Sequence, residues 1–306
     1  IHAFDFATAP YVRMSFESHY KDAYNFYFGK EINNIDIKID EYEIKDLENF
    51  SDLDRVKQHA INQTVKETKQ AMEGLIHDLN IMNSRSGNQV PFSSINFGTD
   101  ISAEGRCVIK AFLEAVDNGV GNENKTAIFP ISIFKVKSGI NRNKEDKNYD
   151  LFKFAQKVTS RRFFPNFINL DTKYNTNEKW DINDPHRWYY EPSTMGCRTR
   201  VYENRHGEKS SVGRGNASFT SINIVRIGLK SMIKENSIES RKLYFFEELG
   251  KIMDITANQL IERWNWQKTA LAKQFPYVMK YLAEYNNGIM ANDKVENIIK
   301  DRKSVV

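Results

Sequence analysis

The residues best suited to chemistry sit together in Met195-Gly196-Cys197-Arg198-Thr199-Arg200, followed closely by Gly213-Arg214-Gly215-Asn216. Cys197 is one of only two cysteines, held in a glycine- and arginine-flanked loop that leads into the β-rich run 217–224. Gly196 lets the backbone approach a ligand closely. A lone thiol, however, is more often a small buried hydrophobe than a reactive group, so the cysteine count alone assigns no role. The Asn216 amide donates and accepts without carrying charge, which suits hydroxyl recognition. Between glycines it equally suits an αL turn feeding a strand, and both readings stay open. Arg198 and Arg200 can fork onto oxyanions, although steadying the loop is the plainer role. The six histidines fall in no metal-ligand spacing, and no Walker or Rossmann glycine pattern occurs, so no metal site is expected.

Composition narrows the class. At 306 residues, 40% hydrophobic and 12% aromatic, the chain can bury a sizeable core and is not a disordered segment. No run of eighteen apolar residues exists, so no membrane span is expected. The opening Ile1-His2-Ala3-Phe4-Asp5 carries no secretion pattern, and two cysteines cannot build a disulfide framework, so a reducing, cytoplasmic setting is expected. The 44 basic residues are interspersed with 40 acidic ones for a net charge of +4. That balance points to anionic small ligands rather than to nucleic acid.

The elements that must position the loop follow from periodicity. The spacing predicts a helix over about Pro10–Gly29 and a strand or extended arm at Ile35–Ile39. Ser51 with Asp54 reads as a cap, opening a long helix whose stripe runs through Leu53, Val56, Ala60, Val65, Met72, Leu75, Ile76 and Leu79. From residue 89 strands alternate with helices. Strands are expected at Gln89–Phe97, Ala127–Val136, Phe163–Leu170 and Ala217–Arg226. Helices are expected at Ser102–Val116, closed by Gly119, and at Tyr149–Arg162. Ser237 to Phe275 reads as one or two helices, and Lys173–Glu191 as an irregular loop. Near-continuous apolar strands alternating with helices argue an α/β class with a parallel sheet covered on both faces. Cys107 falls on a helix and reads as a packing residue.

Several blocks, in order and spacing, resemble the anaerobic (class III) ribonucleoside-triphosphate reductases, which are glycyl-radical enzymes. They are residues 84–100, Glu104-Gly105-Arg106, residues 128–137, Gly139-Ile140-Asn141, residues 148–152, residues 162–167, and Met195–Arg200 with Gly213–Asn216. The resemblance departs at Ala217 and Val225, where the family usually carries leucine and proline. It implies the first half of a ten-stranded α/β barrel with additional long helices. Residues 1–83 would form a helical region on the dimer and effector side, and 84–306 half of the catalytic barrel with a finger loop near 195–216, without a separate linker. Cys197 would become the thiyl radical that takes the 3′-hydrogen of a ribonucleotide, with Asn216 beside the ribose. Gly196, Arg198, Ser93 and Ser94 would contact substrate, and Gly139, Ile140, Asn141 and Lys144 would form the effector-sensing loop. The resemblance further implies a homodimer, a ribonucleoside triphosphate substrate, and a radical S-adenosylmethionine, iron–sulfur activating enzyme as partner. Deoxynucleotide and ATP effectors are expected too, while the radical glycine and a structural zinc are expected outside these residues. The alternatives are another glycyl-radical enzyme on the same barrel, or a non-catalytic nucleotide-binding protein.

Overall fold

The computed structural model describes residues 1–48, 50–83, 90–196, 199–202, 208–212, 218, 220–275 and 291–298. They fall into two compact units: Ile1–Glu203 with Glu208–Val212, and Asn204–Gly207 with Gly213–Val306.

The first unit is α/β. Helix α1 (Phe4–Phe28) ends at Gly29, whose φ of 62° is the left-handed conformation that glycine adopts at no steric cost. It starts earlier than the sequence suggests, and Pro10 lies inside it. Residues 35–39 form neither helix nor strand and are tied down where the Arg13 guanidinium donates to the Ile37 carbonyl at 2.7 Å. Helix α2 (Asp52–Ile81) is capped by Ser51, whose hydroxyl accepts from the Asp54 amide. Its stripe is buried at Val56, Ala60, Val65, Met72 and Ile76, whereas Leu53 is exposed.

Strand β1 (Ser94–Phe97), helix α3 (Ala103–Asn118), β2 (Ile131–Val136), α4 (Tyr149–Arg162) and β3 (Asn166–Asn169) make two successive strand–helix–strand crossovers. The sheet is parallel in the order β1-β2-β3, with Ser94 opposite Ile131 and Ile133 opposite Asn166. All three strands are shorter than the apolar runs predict. Pro130 and Pro165 stand just before β2 and β3, and a residue without an N–H cannot extend a ladder. Helix α3 starts at its cap Ser102, whose hydroxyl accepts from the Gly105 amide at 3.0 Å. It packs against α1, α2 and α4 with a broad buried face that includes Cys107, Val108, Ile109, Phe112 and Leu113, and leaves Arg106, Lys110, Glu114 and Asp117 as its polar stripe. A ladder of rings joins helix to sheet: Phe112 lies 5.1 Å from Phe97, Phe97 5.5 Å from Phe134, and Phe134 6.0 Å from Phe152. Residues 1–83 therefore share one core with α3 and the sheet.

Beyond β3, residues 170–192 are irregular apart from a 3-10 turn at Arg187–Tyr190. They lead into an antiparallel hairpin of β4 (Ser193–Met195) and β5 (Thr199–Val201).

The second unit contains α5 (Ile224–Lys234), packed against α6 (Ile238–Gln267), a 3-10 turn at Ala272–Gln274 and a helical turn at Val295–Ile298. The strand expected at Ala217–Arg226 is not formed by its described residues: Ser218 and Thr220–Asn223 are coil, and Ile224 begins a helix. Asn223 takes the role of cap, accepting from the Arg226 amide at 2.9 Å, and Ile227 and Ser231, four apart, form the buried face. Local capping and a helical period outweigh the β-rich composition here. Ser237 caps α6 through a reciprocal bond pair with Ser240.

Candidate active site

Sheet and hairpin meet on the face of the sheet that the helices leave free. Side chains alternate along a strand, so Ile95 and Phe97 point to the helices while Ser94 and Asn96 point to the other side. On that side the Asn96 carboxamide holds the peptide of Thr194. Its oxygen accepts from the Thr194 amide at 2.8 Å and its nitrogen donates to the Thr194 carbonyl at 3.0 Å. Two residues earlier, the Ser94 hydroxyl accepts the Gly196 amide at 3.1 Å. The pairs Met195–Thr199 and Ser193–Val201 join the two strands of the hairpin. Gly196 leaves β4 with φ at 62°, in the left-handed region that glycine adopts without steric cost. A methyl group there would meet the Phe92 ring at an ordinary 3.5 Å, so backbone conformation, not room, demands glycine.

The base of the hairpin is held by a buried ion pair. Lys135 Nζ lies 3.1 Å from Glu191 Oε2, and each side chain is only 1% exposed. Thr99 Oγ1 donates to the same oxygen at 2.8 Å, and Trp180 Nε1 donates to Oε1 at 3.1 Å. A charge taken out of water must be paired and hydrogen-bonded, and Glu191 meets that condition on both oxygens. The Lys137 ammonium sits 4.2 Å from the centre of the Trp180 ring. Buried Arg187 donates to the Thr99 carbonyl at 2.8 Å and stacks on Phe6, so the irregular segment before the hairpin is pinned at two points. Beyond β5, buried Tyr202 donates to the Tyr190 carbonyl at 2.9 Å, and Ser211 donates to the Glu191 carbonyl at 3.0 Å.

Behind Thr99, α1 contributes Asp5. One of its oxygens accepts the amides of Gly98, Thr99 and Asp100 at 2.8, 3.0 and 3.0 Å. Burial, and then the Asp100 charge, pushes its pKa up to about 6, against the pull of those amides. The His2 imidazole is pushed down to about 3 by burial first and by Lys135 second. Cys107 is buried on α3, and burial pushes its thiol up to about 12. That environment leaves it protonated and inert, in keeping with a packing role.

The candidate residues divide by location. Gly196 and Ser94 come together directly, and Ser93, beside Ser94, keeps a buried hydroxyl without a hydrogen-bond partner among the described residues. Cys197, Arg198 and Asn216 lie outside the described residues. Gly139, Ile140, Asn141 and Lys144 lie past the opposite end of β2, roughly 17 Å along the strand from the level of Ser94 at ~3.3 Å per residue. Gly139 and Lys144 are exposed, whereas Ile140 and Asn141 are fully buried. The Asn141 amide donates to the carbonyls of Gly98 and Lys135 and accepts the Lys137 amide, so it ties the loop to the sheet. Among the described residues no group of three or more His, Cys, Asp or Glu could hold a metal ion, and no helix is long and apolar enough to cross a membrane.

Asn96, Thr99, Lys135 and Glu191 escape a motif search. For Asn96 and Lys135 the signal is a polar residue inside an apolar strand, Ser94-Ile95-Asn96-Phe97 and Ile133-Phe134-Lys135-Val136, where burial obliges a partner; Thr99 and Glu191, outside the strands, carry no such signal.

Comparison with known proteins agrees along the whole chain. The family model for anaerobic ribonucleoside-triphosphate reductase matches residues 1–306. The chain is 29% identical over 233 residues to the Escherichia coli K12 protein of that name, covering 76% of this chain and 28% of that protein. It is 28% identical over 265 residues to the Haemophilus influenzae Rd protein, covering 86% and 31%. To the phage T4 protein it is 26% identical over 305 residues, covering 99% and 44%. The chain thus spans between about a quarter and under a half of these relatives' length. These 306 residues belong to the anaerobic ribonucleoside-triphosphate reductase family.

Proposed function

We propose that the chain is part of the catalytic subunit of an enzyme that reduces ribonucleoside triphosphates to deoxyribonucleotides for DNA precursor synthesis, without oxygen. The observation that carries this reading is the family match from residue 1 to 306, which includes the hairpin strand Ser193–Met195 that leads into Cys197 in the sequence. A glycyl radical elsewhere in the protein, introduced by a radical S-adenosylmethionine, iron–sulfur activating enzyme, would supply the one-electron oxidising equivalent. Cys197 then does the chain's own chemistry. Its S–H hydrogen atom would pass to that radical, the resulting thiyl sulfur would take the 3′-hydrogen of the ribose, and that hydrogen would return to C3′ once the 2′-hydroxyl had taken up a proton and left as water. A formate or dithiol reductant supplies the two electrons. Asn216 would hold the ribose hydroxyls, and Gly196, Arg198, Ser93 and Ser94 would flank the substrate. A thiol used this way must be aimed and kept from side reactions, and the hydrogen bonds from β1 to Thr194 and Gly196, just before Cys197 in the sequence, support the first need.

The sequential parallel order β1-β2-β3 turns the same way at each crossover, which supports reading the first unit as part of a ten-stranded barrel. Helices α1 and α2 would face a second subunit in a homodimer. The exposed part of the 137–148 loop, Gly139 and Lys144 included, would respond to deoxynucleotide or ATP effectors. No described residue is assigned to the structural zinc.

Cys197→Ser in the full-length protein tests the reading. With activating enzyme, S-adenosylmethionine, reductant and substrate under anaerobic conditions, we expect a normal glycyl-radical signal and no deoxynucleotide. Serine keeps the size, but its O–H bond is too strong to relay a radical to carbon. Turnover by the serine variant at a measurable fraction of wild type would overturn it.

A further inference from the structure

Among the described residues, strand β4 has an edge that no strand covers. In an antiparallel pair, alternate residues turn their N–H and C=O toward the partner strand and away from it. Thr194 turns both away from β5, and both are taken by the carboxamide of Asn96. That side chain supplies one acceptor and two donors, the second donor reaching the Ile1 carbonyl at 3.1 Å. Both N–H donors and one lone pair of the oxygen are engaged, and Asn96 is 1% exposed, so the side chain is held against Thr194 away from water. Ser94 and Asn96, two apart on one face of β1, meet Gly196 and Thr194, two apart on β4. The side chains of one strand thereby set the register of the next, and a one-residue slip would lose every one of these bonds.

We propose that Asn96 is a positioning residue for the reaction assigned above, setting the height and rotation of Thr194–Gly196, the segment that leads into Cys197 in the sequence, by reading the Thr194 peptide as a neighbouring strand would. The inference rests on that reading of the function. Hydrogen-atom transfer needs the two reacting atoms within about 3–3.5 Å, and a misplacement of ~1 Å costs about a hundredfold in rate.

The test uses full-length protein, activated anaerobically, with four readouts: glycyl-radical yield by electron paramagnetic resonance, kcat, KM for the ribonucleoside triphosphate, and the folded fraction. For Asn96→Ala we expect kcat per folded, radical-bearing subunit to fall about a hundredfold, with KM and radical yield unchanged. Asn96→Asp still accepts the Thr194 amide but sets an anionic oxygen against two carbonyls, so its kcat should fall between wild type and alanine. Ser94→Ala removes one bond and should lower kcat severalfold. A merely structural role would reduce the folded fraction and leave kcat per folded subunit intact. Alanine-variant kcat within threefold of wild type would overturn the proposal, as would a rise in KM at constant kcat. Should the alanine variant fail to fold, unchanged kcat in both Asn96→Asp and Ser94→Ala would overturn it equally. An active Cys197→Ser protein would instead defeat the functional reading itself.

Discussion

Replacing Lys135 by methionine keeps the length of the side chain and removes its charge. The partner left behind, Glu191, is 1% exposed and 3.1 Å from the missing ammonium. At an effective dielectric constant of about 20, that pair interacts by about 5 kcal/mol before the desolvation of either ion is counted. Breaking such a pair from one side typically costs about 3–5 kcal/mol, because a buried charge loses its counter-ion. Thr99 and Trp180 still donate to Glu191, which places the expected loss near the lower end, about 3 kcal/mol. Glu191→Gln alone should cost a similar amount, since it strands the ammonium. The double variant removes both charges and keeps an oxygen for Thr99 or Trp180, so we expect it to lose only about 1–2 kcal/mol, a coupling of about 4 kcal/mol or more. Native-state hydrogen exchange read by mass spectrometry, on peptides covering Ser94–Phe97 and Ile131–Val136, measures these losses where the pair acts. A single-variant loss below about 1 kcal/mol, or a double variant as unstable as the sum of the singles, would refute the claim that the ion pair fastens the hairpin to the sheet.

Asp5 bears on acid behaviour: its folded pKa of about 6 lies above the ordinary carboxylate value, so the folded protein binds the proton more tightly than the unfolded chain. Its contribution to stability is fully present below pH ~4 and is lost as pH rises through about 6, so wild type should gain stability relative to Asp5→Asn on going from pH 7 to 5. Parallel stability curves for the two proteins would disprove this. The Cys107 thiol should resist iodoacetamide at pH 8 in the native protein and react once urea unfolds it, as intact-mass spectrometry would record; rapid native labelling would contradict its burial. Gly105→Ala should destabilise by about 1–3 kcal/mol in thermal unfolding, because the added methyl would stand 2.2 Å from Asp100 Cγ, and a neutral outcome would mean that Asp100 moves freely.

Much of the fold was legible in the sequence because it rests on local rules. Ser51, Ser102 and Ser237 start helices by capping, Gly29 and Gly119 stop them, and Tyr149–Arg162 is recovered residue for residue. The parallel α/β class follows from the same alternation, and the motif run around Cys197 carries the family. Composition misled at 217–226, where β-branched residues precede a helix start that depends on the single cap Asn223. Strand lengths were overestimated where prolines interrupt the ladder. What only the tertiary structure decided is who partners the buried polar groups. Asn96 meets Thr194 across 98 positions of chain, Thr99 meets Glu191 across 92, and Lys135 meets Glu191 across 56. No periodicity encodes such pairings. They arise because an apolar environment makes an unpaired amide or charge costly, so the fold must bring distant partners together to bury them.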